Sequence, residues 1–239
     1  MQHTELNILI NDNNLIKLAT FCDSYLNLKN AKLPKEYYYQ SLPLCLIDAV
    51  FSIGIKYQTV QKVVERYCQF FAYKKFRDNV DLPPTEEQES ISNFLSKQGK
   101  YDFTQVIFQN RNRTSPKNGI LKTDAVFEFA MVLKKYKIEY FQDINNIYGN
   151  NNLITDIKNI PGQKSGISLK YFLMLAGDDN MIKPDRQIIA FLKSVLKQKV
   201  GLNEAQVILE KCCTLLRTKY QHLTPRLLDY QIWLYQREL

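Results

Sequence analysis

Asp185 follows a proline directly, in Lys183-Pro184-Asp185-Arg186-Gln187-Ile188, and stands one apolar segment and one loop beyond a turn reading IPGQKSG, 160–166. A carboxylate fixed at a helix start can stabilise positive charge developing on a reacting centre and orient water toward it. Aspartate at that position is also an ordinary helix N-cap. Successive N–H groups in a tight turn, ahead of a helix N-terminus, can hold a phosphate without reading sequence. In this turn Pro161, Gly162, Gln163, Lys164, Ser165 and Gly166 would face that phosphate, with Lys164 adding charge; a plain hairpin between two helices accounts for the glycines equally well. Asp48 is the sole charge between Glu36 and Lys56, so it is either a buried general acid or a carboxylate satisfied by backbone and tyrosine hydroxyls. Tyr57 and Gln58, in the loop expected after it, are candidates to line a base pocket. Arg111, Arg113 and Lys117 sit in the polar stretch QNRNRTSPKNG, 109–119, either as phosphate clamps or as a solvated basic loop. Lys170, on a nearly all-apolar helix, can snorkel to the surface, pair with Asp48 or Asp185, or act as an amine near the turn.

Other chemistries have little to build on. The two histidines, His3 and His222, form no metal-binding or triad pair. The five cysteines, Cys22, Cys45, Cys68, Cys212 and Cys213, are odd in number and never spaced as CxxC. Disulfide pairing, a metal site and an iron–sulfur cluster are therefore not expected, no cofactor is implied, and a reducing cytoplasm is the expected compartment, at the nucleoid if the cell is prokaryotic. The formal net charge of +8 favours a polyanionic partner, with nucleic acid ahead of a membrane surface. No apolar run is long enough to span a bilayer, and residues 1–5 lack the basic start of a signal peptide.

The elements that must position these residues read as helices. Of the 239 residues 45% are apolar and 23% charged, a globular composition, and Gly and Pro are scarce. Apolar spacing of three and four predicts helices over 13–28, 43–53, 59–76, 123–135, 140–148, 153–159, 167–176, 185–197, 203–219 and 225–237, an all-α fold. Thr85 with Gln88 reads as a capping box opening a helix to Lys97, Thr123 as the cap of the 123–135 helix, and Thr224 as a cap with Pro225 at the first position. The piece 101–108 fits a helix or a short strand.

Helix, IPGQKSG turn, buried helix, loop and Asp185 together resemble the helix-hairpin-helix DNA glycosylase superfamily, endonuclease III and the adenine glycosylases among them. The stretch LCLIDAVFSIGIKYQTVQKVVERY, 44–67, is similar to the family's buried helix, loop and second helix, and the resemblance spans 44–196. It implies a two-lobed helical fold, residues 37–176 forming one lobe and 1–36 with 177–239 the other, and Asp185 at the cleft between them. It further implies duplex DNA as partner, contacted by the hairpin and by Arg186 and Lys170, and monofunctional removal of a damaged or modified base by water attack assisted by Asp185. Lys164 stands where the family keeps a second hairpin glycine, Gly166 where bifunctional members keep a catalytic lysine, and no cleft glutamine is evident at Gly54-Ile55. A DNA-binding protein that kept the fold and lost the chemistry is the alternative, and a helical scaffold for another protein a more distant one.

Overall fold

A computed structural model describes residues 12–238 of the chain, so His3 and the start of the first lobe lie outside the described residues. The described residues are all-α: α1 (Asp12–Tyr25), α2 (Leu42–Phe51), α3 (Tyr57–Phe71), α4 (Ile91–Ser96), α5 (Lys122–Lys135), α6 (Asn151–Asn159), α7 (Ile167–Ala176), α8 (Arg186–Leu196), α9 (Leu202–Leu216) and α10 (Pro225–Glu238), with short 3-10 turns and three isolated β-bridges. No helix among them is long and apolar enough to cross a membrane. The chain divides into two compact units, one of residues 34–177 and one of residues 1–33 with 178–239.

In the unit 34–177, α2 is buried at every position and α3, α5 and α7 pack around it. A helix so apolar on all sides must be enclosed by neighbours. Beside it Tyr67 sits among Phe71, Phe94, Phe103 and Phe108 and donates its hydroxyl to Glu89, which also pairs with Lys97. The Lys97 amine lies 4.9 Å from the ring centroids of both Phe71 and Tyr73, so a buried charge is balanced by a carboxylate and two ring faces.

Several expected boundaries move for identifiable reasons. α3 starts at Tyr57, which places Tyr57 and Gln58 in its first turn rather than in a loop. It stops at Phe71 instead of 76, because Ala72 turns left-handed (φ 55°) and the Tyr73 amide bonds back to the Cys68 carbonyl. The released chain pairs elsewhere: the Gln40 amide donates to Lys75 O and the Arg77 amide to Tyr38 O. The Thr85–Gln88 capping box does not form. Thr85–Glu87 is a single 3-10 turn, the Gln88 amide group donates to Pro83 O at 2.7 Å, and α4 is capped by Ser90, whose hydroxyl accepts the Asn93 amide at 3.0 Å. Thr123 is not a cap either, since α5 begins after Leu121 and the Thr123 hydroxyl is buried without a partner. The ambiguous 101–108 piece holds a π-helical turn, Phe103–Ile107, started by Asp102 accepting the Gln105 amide.

The second unit is a four-helix assembly of α1, α8, α9 and α10 around Leu18, Cys22, Phe191, Leu192, Leu209 and Leu228. Thr224 caps α10 by accepting the Leu227 amide at 3.1 Å, ahead of Pro225 in the first turn. Asp23 on α1 is held by Tyr220 and Lys219 beyond α9, and these bonds keep its carboxyl below the usual range. All five cysteines are free and buried. The Cys22 thiol is pushed up by its bond to Cys212 and by burial, which makes it a packing group rather than a nucleophile. His222 is equally structural, its Nε2 lying 3.1 Å from Leu28 O.

Candidate nucleic-acid interface and carboxylates

The turn after α6 is built by two successive reverse bonds, Gln163 N to Ile160 O and Gly166 N to Gln163 O, each 2.9 Å. Its left-handed residues are Gly162 (φ 88°) and Gly166 (φ 72°). Lys164 keeps a negative φ, so the displaced second glycine falls where the backbone needs it. Pro161, Gly162, Lys164 and Ser165 are exposed. The Gln163 side chain is not: it is turned inward, 1% exposed, with Oε1 accepting the Ser168 hydroxyl and Nε2 unpartnered. Gln163 therefore presents no side chain to a phosphate. At Gly166, which opens α7, a Cβ would come within 3.1 Å of Lys158 Cε, so the stem of Lys158 lies along the glycine.

The cationic stretch is a small hairpin rather than an open loop. Arg113 bridges Leu121, the Thr114 amide donates to Ile120 O, and the Lys122 amide donates to Asn112 O at 2.8 Å. Gly119 is required at its bend, because a Cβ would sit 2.3 Å from the Ser115 backbone nitrogen. Arg113 reaches back to Gly119 O at 2.6 Å, while Arg111 and Lys117 are exposed and make no bond to other described residues. This hairpin is seated on the 160–166 turn. A Cβ at Gly162 would lie 2.3 Å from Thr114 Cβ and 2.5 Å from Thr114 Oγ1, so Thr114 occupies the space a side chain would fill. Two cation-bearing turns thus adjoin within one unit. Around the corner, α5 and α6 leave an open groove of about 380 Å³ lined by Glu128, Met131, Val132, Lys135, Asp156 and Ile160, which meets the turn only at Ile160.

Asp48 is fully buried on α2 and accepts the Tyr39 hydroxyl and the Ser52 hydroxyl, each at 2.8 Å. Of its two expected roles the structure displays the satisfied carboxylate bonded to tyrosine. Tyr57 stands next to this network, where burial and the Asp48 charge push its hydroxyl above the ordinary range; Gln58 is exposed. Lys170 is half-buried on α7. A further lysine carried no signal in the spacing: Lys122, 1% exposed, donates its amine to the carbonyls of Phe51 (2.7 Å) and Ile53, neutralising the C-terminal end of α2. It ties the segment after α2 to the start of α5, next to the cationic hairpin.

Asp185 belongs to the second unit and is the N-cap of α8. Its Oδ1 accepts the amides of Gln187 (2.8 Å) and Ile188 (3.2 Å), while no described residue bonds its other oxygen. The carboxylate is half-buried, and Arg186 beside it is exposed. Behind it, on α10, lies Asp229, 3% exposed, whose carboxyl accepts the Lys183 amide at 3.0 Å. Burial foremost, then the Asp185 charge, pushes Asp229 well above the usual carboxylate range. Among the described residues no cluster of His, Cys, Asp or Glu could hold a metal ion.

Fold and geometry define an all-α protein with adjoining cationic turns and a helix-capping carboxylate. The chain belongs to the DUF8548 family, described as a domain of unknown function, whose profile matches residues 16–237. No curated protein and no solved structure matches it.

Proposed function

We propose that this protein is a helix-hairpin-helix DNA-binding protein of the glycosylase type, which grips duplex DNA by its phosphates and releases a damaged or modified base. The supporting observation is the seating of the 109–121 hairpin on the 160–166 turn, which combines exposed backbone of a helix-opening turn with Lys164, Arg111 and Lys117 in one unit. In the reaction the bond from the deoxyribose anomeric carbon to the base breaks, and positive charge grows on the sugar. The unengaged oxygen of Asp185 stabilises that charge and orients a water whose hydroxyl goes to the carbon and whose proton goes to the base. The alternative is DNA binding without chemistry. It is favoured by the structural duties of both carboxylates, Asp185 as a cap and Asp48 as the acceptor of two hydroxyls.

Salt titration of duplex binding tests the interface. Replacing Arg111 and Arg113 together by alanine should make the slope of log affinity against log salt shallower by about two, one per phosphate contact, for unrelated sequences alike. An unchanged slope removes the 109–121 hairpin from the contact surface.

Base release should proceed without strand cutting. A lyase needs an amine at the anomeric carbon, and position 166 carries no side chain. Borohydride reduction with abasic DNA should leave no covalent adduct. A trapped adduct lost in Lys158→Gln, Lys164→Gln or Lys170→Gln would show that an amine does the chemistry, and Lys158 is the first to examine because its stem lies on Gly166.

A further inference from the structure

We infer that Asp229 is a positioning residue for Asp185, its carboxyl on α10 fixing the Lys183-Pro184-Asp185 segment through the Lys183 amide. The inference rests on the reading of Asp185 as the carboxylate that meets the sugar. Asp185 is the hinge between a loop and α8, and a carboxylate aimed at a reacting atom must be held to a fraction of an ångström. Its own capping bonds fix it from the helix side only. On the loop side the segment folds tightly, with the Asp185 amide on Lys183 O at 2.6 Å, and the Lys183 amide is taken by Asp229. That bond reaches across 46 positions in sequence to a carboxyl with 3% exposure, a costly burial unless it is matched by a partner.

The charged groups printed around Asp229 are few. Asp185 faces it from the start of α8, Lys183 from the loop, and Arg226, one turn earlier on α10, is engaged with Asp179 at 3.3 Å. Burial and the Asp185 charge favour the protonated form of Asp229. A neutral Asp229 holds the amide through an oxygen without placing a second negative charge behind Asp185. Protonation of the folded form also fixes a sign: stability from this group is complete below its unfolded value and falls as pH rises through the raised folded one.

The test compares Asp229→Asn, which keeps an acceptor oxygen, with Asp229→Leu, which fills the volume without one, in the full chain. Amide exchange at Lys183 should be close to wild type in the Asn variant and about tenfold faster in the Leu variant. Base release from duplexes each carrying one modified base should follow the same order, the Asn variant restoring what the Leu variant loses at equal duplex affinity. In the wild type, the Lys183 amide nitrogen shift should titrate with a midpoint above the ordinary carboxylate range, and the titration should vanish in Asp229→Asn. This arm needs no Leu variant to fold. If no duplex is processed by the wild type, the glycosylase reading fails, and amide exchange and the titration still decide whether Asp229 holds the segment. A Lys183 amide that neither titrates with Asp229 nor exchanges faster without it overturns the inference.

Discussion

Asp185→Asn should lower base release by about 100-fold or more while duplex affinity stays within a few-fold of wild type. The two oxygens of Asp185 divide their duties, and the substitution separates them. Oδ1 accepts two amides of the first turn of α8, and asparagine supplies an oxygen there just as well, so the unfolding free energy should change by less than about 1 kcal/mol. What asparagine removes is the charge facing a developing oxocarbenium. Urea unfolding and duplex binding measured beside base release then show whether chemistry was lost selectively. Equal release by variant and wild type would leave Asp185 a helix cap alone and would favour binding without catalysis.

Gly162→Ala should destabilise the unit 34–177 by about 2–4 kcal/mol, read from urea unfolding. Two costs combine. A residue with a side chain is strained at φ 88°, by about 1 kcal/mol, and its Cβ would overlap Thr114 Cβ at 2.3 Å, where the obstacle is a short branched side chain close to the backbone. Thr114→Gly in the same chain removes the second cost only. The double mutant should therefore be more stable than the sum of the single effects by about 1–3 kcal/mol. Additive effects would show that the turn and the cationic hairpin do not touch. The same variants should weaken duplex binding, because the two turns would no longer present their cations as one surface.

The helices were readable wherever a single face or a single cap decided them. α2 is apolar at almost every position and is enclosed; Asp185 and Thr224 precede their helices and cap them. Reading failed where several candidates compete within a few residues. Thr85, Ser90 and Thr123 are all acceptable cap residues by type, and only packing selected Ser90, because Gln88 is drawn to Pro83 O and to the Phe141 amide across the fold. The site shows the same division. The local turn and the cations at 111, 113, 117 and 164 are local in sequence and were found. Thr114 against Gly162, Lys158 along Gly166, Lys122 on the end of α2 and Asp229 on Lys183 are contacts between distant or unpatterned positions, and no spacing rule encodes them. Gln163 was misread because side-chain direction in a tight turn depends on Ser168 waiting behind it.

The division of the chain at 33 and 178 has a consequence for synthesis. Leu18 and Cys22 of α1 are fully enclosed by residues of α8, α9 and α10, none of which exists until the whole of 34–177 has been translated. The intervening unit is contiguous and can collapse as it leaves the ribosome, whereas α1 must wait with its apolar stripe bare. Its short length and modest apolar face, with Asp12, Lys17 and Asp23 interspersed, suit a segment that stays unpaired in a crowded cell for that interval. A ribosome stalled within α9 would release a nascent chain with a finished middle and an unsatisfied beginning, and chaperone capture of such chains should map to α1.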